Sequence, residues 1–217
     1  ALHATDDGGW RDAAGFAEQK LNAVLTQALA DGELAVRFAA TNLEQETAGF
    51  ILGEDAYRDS ALAQSNPNAE AYRDARSLRM SAHYRAGGLD LRAYARSSRM
   101  DFLQHFLLGQ PVEDNGQDSL GLLASTTLAD SSGGELTLGA DAELAASSLL
   151  QFQDGPTTDG TPAANAIRPA GRHYDYAVDS WLVAAYAEWR RPLAARWSLA
   201  AGLRVEYVAY DYDNRMI

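Results

Sequence analysis

Side chains able to do chemistry are present in this sequence, but they are scattered. The four histidines, His3, His83, His105 and His173, include no pair spaced for one helical face and have no cysteine beside them. The spacing of a zinc site is therefore missing. The lack of cysteine also excludes disulfides, thiolate nucleophiles and thiol redox chemistry. Ser131-Ser132-Gly133-Gly134 has the composition of a phosphate cradle, yet no helix follows it, and a hairpin turn accounts for both glycines. The 30 Asp and Glu residues invite a glycosidase reading. That chemistry needs one pair of acids held about 5 to 10 Å apart, and the spacing singles none out. The expectation is a non-enzyme with no catalytic residue, no metal ligand and no cofactor. Two sets remain that could contact another molecule. One is the arginine series Arg79, Arg85, Arg92 and Arg96; the other joins Phe102, Gln104, His105 and Phe106 with Tyr174 and Tyr176.

What positions these sets follows from charge and hydropathy. A net charge of -12 and a pI near 4.6 argue against a nucleic-acid partner, because neutralising phosphates requires a basic face. No stretch approaches the roughly 18 apolar residues of a membrane helix, and the densest, Leu182 to Ala187, stops at Glu188. A membrane barrel stays possible, since each of its strands needs only about ten residues of alternating hydrophobicity. Ala1 to Trp10 lack the basic and apolar regions of a signal peptide, so the expectation is a removed leader or a piece of a longer chain.

Period two dominates the sequence. Leu34, Val36, Phe38 and Ala40 alternate with polar neighbours, which places the two sets on opposite faces of a strand. The same holds for Leu78 to Tyr84 and for Leu89 to Ala95, two runs flanking the hairpin turn Ala86-Gly87-Gly88. Leu120 to Leu128 and Leu136 to Ala142 form another such pair around 130–134, and Trp181 to Trp189 and Trp197 to Tyr207 a further one. Phe16 to Leu29 is ambiguous, because Leu21, Val24, Leu25, Ala28 and Leu29 also fit a helical stripe. The strand reading is preferred there, because Asp31-Gly32 signals a hairpin leading into the next run. The result is about eight strands, near 16–30, 33–45, 76–86, 89–98, 118–129, 134–144, 177–190 and 196–209.

The connections alternate in length. Turns near 31, 87, 132 and 193 are short, whereas 46–75, 99–117 and 145–177 are long. Long loops are uncommon in compact soluble domains, but outer-membrane barrels combine short turns at one end with long loops at the other. Tyr84, Trp181, Trp189, Trp197 and Tyr207 near strand ends suit an interfacial girdle. The expected fold is all-β, with about eight strands in an antiparallel up-and-down transmembrane β-barrel arrangement. A soluble β-sandwich also alternates along its strands and is the competing architecture.

Several stretches carry a family likeness: 66–74 before a strand, 102–107 in a loop, His173-Tyr174-Asp175-Tyr176, and above all the hairpin with Ala185 to Trp189, Trp197-Ser198-Leu199, Ala201-Gly202-Leu203-Arg204 and Tyr210-Asp211-Tyr212. This run resembles the barrel of TonB-dependent outer-membrane receptors. The resemblance implies a wall piece, internal or C-terminal, of a barrel of about 22 strands that encloses an N-terminal plug, so that 1–217 would be one partial domain, an incomplete β-barrel segment of about eight strands. No plug and no TonB box are recognised here. The implied activity is uptake of a scarce nutrient such as an iron-siderophore, driven by an inner-membrane complex that acts through the absent N-terminal part. Lipid of the bacterial outer membrane would cover the apolar face. Phe102, Gln104, His105, Phe106, Tyr174 and Tyr176 become candidate ligand contacts, because rigid amphipathic side chains supply contact area at low entropic cost. His173 and Asp175 could touch an iron chelate. Arg79, Arg85, Arg92 and Arg96 become a lumenal cationic row that attracts anions, unless Asp141 and Glu143 neutralise it. The alternatives are a passive porin-like barrel of the same fold and a soluble secreted β-domain binding carbohydrate.

Overall fold

The computed structural model describes residues 1–103, 109–131, 133–156 and 162–216. Among them nine strands form one sheet: β1 (Leu2–Asp7), β2 (Phe16–Leu29), β3 (Gly32–Glu46), β4 (Tyr72–Ala86), β5 (Leu89–Leu103), β6 (Val112–Ala129), β7 (Glu135–Gln153), β8 (Gly171–Ala194) and β9 (Trp197–Asn214). Each strand pairs antiparallel with its sequence neighbours in the order β1 to β9. The sheet is an open up-and-down meander with β1 and β9 at its two edges. No second sheet covers it among the described residues, so the face-packed sandwich does not form.

Register explains why the alternation was visible. One row across the sheet reads Phe38, Met80, Ala95, Leu120, Leu144, Trp181 and Ala209, all on one face. These side chains meet no core: Leu120 is 58% exposed, Leu144 60% and Trp181 40%. In water each such side chain would forgo roughly 1.5 to 3 kcal/mol of burial. Only an apolar surrounding makes this face stable. Phe16–Leu29 is strand over its whole length and bonds β3 from end to end, which resolves its ambiguity against helix.

Four connections are tight. Leu29 pairs with Gly32 around Ala30-Asp31, and Ala86 pairs with Leu89 around Gly87-Gly88, where Gly87 takes a φ of 55° that favours glycine. At the third hairpin Asp130 closes the connection by accepting from the Gly134 N–H at 2.9 Å, and strand β7, not a phosphate-binding helix, follows at Glu135. The fourth hairpin turns between Ala194 and Trp197.

At the opposite end the strands run further than the alternation does. β5 extends to Leu103, β6 starts at Val112, β7 reaches Gln153 and β8 starts at Gly171. The connections there are accordingly shorter than the sequence suggests, apart from 47–71. That loop contains a 3-10 turn (Ala56–Arg58) and the short helix α1 (Ser60–Gln64), which Asp59 caps through the N–H groups of Ala61 and Leu62. It is fastened to segment 8–15 by the Arg11 guanidinium donating to the Ser65 carbonyl and by Asn66 donating to the Ala13 carbonyl. A second short helix, α2 (Pro162–Ile167), precedes β8. β1 is the strand that the sequence pattern does not reveal: its six residues hold two apolar side chains in alternation, and it forms because β2 offers an open ladder.

Candidate functional site

The polar face of the sheet carries a connected network. Tyr94 lies opposite Gly121 on β6 and reaches across it, so that its hydroxyl donates to Glu143 on β7. The glycine is required there, because a Cβ at position 121 would sit 2.2 Å from the Tyr94 ring. Arg96 stacks on the same ring, its guanidinium carbon 4.7 Å from the centroid, and pairs with Glu143 at 2.6 Å. A second unit repeats the arrangement. Tyr186 crosses Gly139, where a Cβ would stand 2.1 Å from the ring, and Arg204 lies 5.9 Å from the Tyr186 centroid while it pairs with Asp141 and Glu206.

The four arginines of the proposed row share this face, but they are not equivalent. Arg96 is neutralised by Glu143, and Arg92 pairs with Asp90 at 3.0 Å, whose other oxygen meets His83 at 2.8 Å. Arg79 and Arg85 have no ion pair among the described residues. Arg79 stands directly opposite Arg96. Like charges so placed repel, and Glu143 draws Arg96 away.

Nearer the long loops, one row on the same face reads Gln45, Arg73, Phe102, Glu113, Gln151 and Tyr174. Phe102 and Tyr174 therefore lie on one level, three strand steps or about 14 Å apart. Between them Gln151 donates to Glu113 at 3.2 Å and accepts from Arg168 at 2.9 Å. Gln151 is 3% exposed, so the loop after β7 is anchored into this row. One level lower, Tyr176 meets Tyr212 of β9 with ring centroids 5.5 Å apart. Gln104, His105 and Phe106 lie outside the described residues.

His173 and Asp175 have separate partners. A register shift at Gln151/Phe152 lets His173 reach Gln151 and the Pro169 carbonyl, the latter at 2.7 Å, whereas Asp175 pairs with Arg172 at 2.7 Å. Sequence reasoning missed both tyrosine-glycine crossings and the Glu113-Gln151-Arg168 bridge. The crossings left a signal: an isolated glycine inside each alternating run. The bridge left none, because its members meet only through the register.

With this wall in view, comparison with known proteins gives its family. Residues 19–216 match the model of the TonB dependent receptor-like β-barrel, and the chain belongs to that family. Solved structures agree in fold. The unliganded ferric citrate transporter FecA superposes with a TM-score of 0.78 at 11% identity, over 99% of this chain and 33% of that one. The siderophore receptor PiuA from Acinetobacter baumannii gives 0.56 at 8% identity, over 96% of this chain and 41% of that one. The E. coli ferric-catecholate import receptor Fiu, in its closed form, gives 0.61 at 12% identity, over 98% and 37%. The chain thus spans about a third of the length of these receptors. No curated protein matches. Barrels of this family belong to the outer membrane, and in such barrels the apolar face meets lipid and the polar face the lumen.

Proposed function

We propose that this chain is part of the wall of an outer-membrane receptor that takes up a scarce nutrient such as an iron-siderophore, energised by an inner-membrane complex acting on a plug outside this chain. The observation that carries the reading is the lumenal row of Arg73, Phe102, Glu113, Gln151 and Tyr174 at the long-loop end, where aromatic surface and hydrogen-bonding groups stand on one rigid level. Phe102, Tyr174 and Tyr176, together with Gln104, His105 and Phe106 of the adjoining loop, supply the ligand contacts. Further in, Arg79 and Arg85 are the two cations of the arginine row with no ion pair among the described residues, and the row favours an anionic cargo.

The test uses the intact receptor. Changing His105 and Tyr174 to Ala is expected to weaken ligand binding without reducing the amount of folded barrel; unchanged affinity per folded molecule would end the contact assignment. Dissipating the inner-membrane proton gradient is expected to leave binding intact and to stop uptake. Continued uptake would favour a passive pore.

A further inference from the structure

The charges on the outward face divide by height. At the long-loop end they are mostly carboxylates: Glu44, Asp74, Asp101 and Asp114 follow one another across β3 to β6 in a single row, and Asp179 stands directly opposite Asp211. Below the row of Leu122, Ala142 and Val183, the outward positions of the strands hold one charged side chain among the described residues, Arg191 near the foot of β8. Arg191 lies opposite Leu199 and two residues from Trp189 on its own strand, and Trp197 stands two residues from Leu199 on β9. Both tryptophans therefore share its face. Arg196 occupies the turn that joins the two strands. Neither arginine has an ion pair or a hydrogen bond among the described residues, whereas Arg190, on the lumenal face, is matched with Glu188.

An unpaired guanidinium on a lipid-facing surface is stable only where it reaches the polar headgroups, so Arg191 marks their level. Trp189 and Trp197, the latter 74% exposed, flank it with amphipathic rings that suit the same level. In an outer membrane the short turns face the periplasm, and the leaflet on that side is built of phospholipid. Charge decides which head fits. Glu135 and Glu188 stand on the lumenal face by register, and the Asp130 carboxylate of the neighbouring connection accepts from the Gly134 N–H. A zwitterionic head would bring an ammonium to two guanidiniums, with no carboxylate on the same face of the hairpin to receive it. An anionic head brings its phosphodiester alone, and a planar guanidinium can grip that group with two parallel N–H donors.

We infer that the foot of the β8–β9 hairpin holds one anionic phospholipid of the phosphatidylglycerol type. Its phosphodiester lies against Arg191 and Arg196, and Trp189 and Trp197 flank its glycerol backbone. Its acyl chains rise over Leu199, Ala201 and Leu203, where no charged side chain shares the face. The inference rests on the reading of this face as lipid-facing.

The intact receptor, refolded into vesicles of equal parts phosphatidylethanolamine and phosphatidylglycerol and then extracted into mild detergent, is weighed by native mass spectrometry. The lipid that survives extraction is expected to be phosphatidylglycerol in preference to phosphatidylethanolamine. Arg191→Gln and Arg196→Gln are each expected to reduce that preference about fivefold, the worth of one interfacial cation against an anionic lipid. Arg191→Lys, which keeps the charge, is expected to retain most of it. Arg58→Gln, which removes a cation at the long-loop end, is expected to change nothing. Folding of every variant is read independently from heat-modifiable gel mobility and vesicle flotation. No preference in the unaltered receptor, or an unchanged preference in both glutamine variants of the hairpin, overturns the proposal while the barrel reading stands. An equal loss in Arg58→Gln traces the preference to net charge and overturns it too, and so does displacement of the lipid by free glycerol phosphate, which marks a site for a soluble anion. A receptor that fails to enter vesicles at all overturns both readings.

Discussion

The lower and upper halves of the same strands obey different rules. Between Leu136 and Leu144, β7 alternates strictly, whereas between Ala145 and Gln153 it mixes Ala, Ser, Leu and Gln without period, yet it stays paired with β6 and β8 through both halves, with one register shift against β8 at Gln151/Phe152. β6 contrasts in the same way, with Leu120 to Leu128 against Asp114 to Asp118. Alternation is thus an imprint of two different surroundings on the two faces and no requirement of the ladder itself. Where both faces are wet, backbone hydrogen bonds and neighbouring strands suffice.

The sharpest way to break this comparison is a charge placed on the same face at two heights. In an intact barrel folded into lipid vesicles, Leu138→Arg is expected to cost roughly 2 to 4 kcal/mol, as for an arginine near the bilayer midplane. Ser148→Arg, on the same face of the same strand in the upper half, is expected to cost well under about 1 kcal/mol. Equal costs in denaturant titration would mean that the apolar band does not end where the alternation ends.

Next in size are the crossings on the lumenal face. Gly139→Val forces the Tyr186 ring off its seat, and about 1 to 3 kcal/mol of destabilisation is expected from such overpacking. Adding Tyr186→Ala is expected to recover part of that loss, because the two side chains compete for one space. Simple additivity of the two changes would deny the crossing. A smaller effect is expected from Glu143→Gln. Arg96 and Glu143 are both partly exposed, so the pair is worth about 1 kcal/mol or less and weakens further with salt. A loss independent of ionic strength would show that the contribution is packing and not charge.

The faces of the strands were legible in the sequence because period two survives wherever one side meets lipid. Arg79, Arg85, Arg92 and Arg96 could be placed on a shared face for that reason alone. Which of them finds an ion-pair partner could not be read. Glu143 lies two strands from Arg96, and only the register that aligns Arg96 with Ser119, and Tyr94 with Gly121, brings the carboxylate within reach. The outward extension of β5 to β8 was hidden because nothing imposes a period there. β1 was hidden because its pairing is supplied by β2. Tyr174 and Phe102 were singled out for their chemistry, and their common level emerged from three successive ladders.

The alternation of tight turns with longer connections also bears on how the sheet comes together. β2 with β3, β4 with β5, β6 with β7 and β8 with β9 are each joined by a tight turn. The chain is therefore four nearly self-closing hairpins joined by longer tethers. Closing a short turn costs little chain entropy, whereas docking one hairpin on the next must first close segments such as 47–71. Assembly is then expected to proceed hairpin by hairpin, each unit zipping locally before it meets its neighbour, in a topology whose backbone pairing never reaches beyond the adjacent strand.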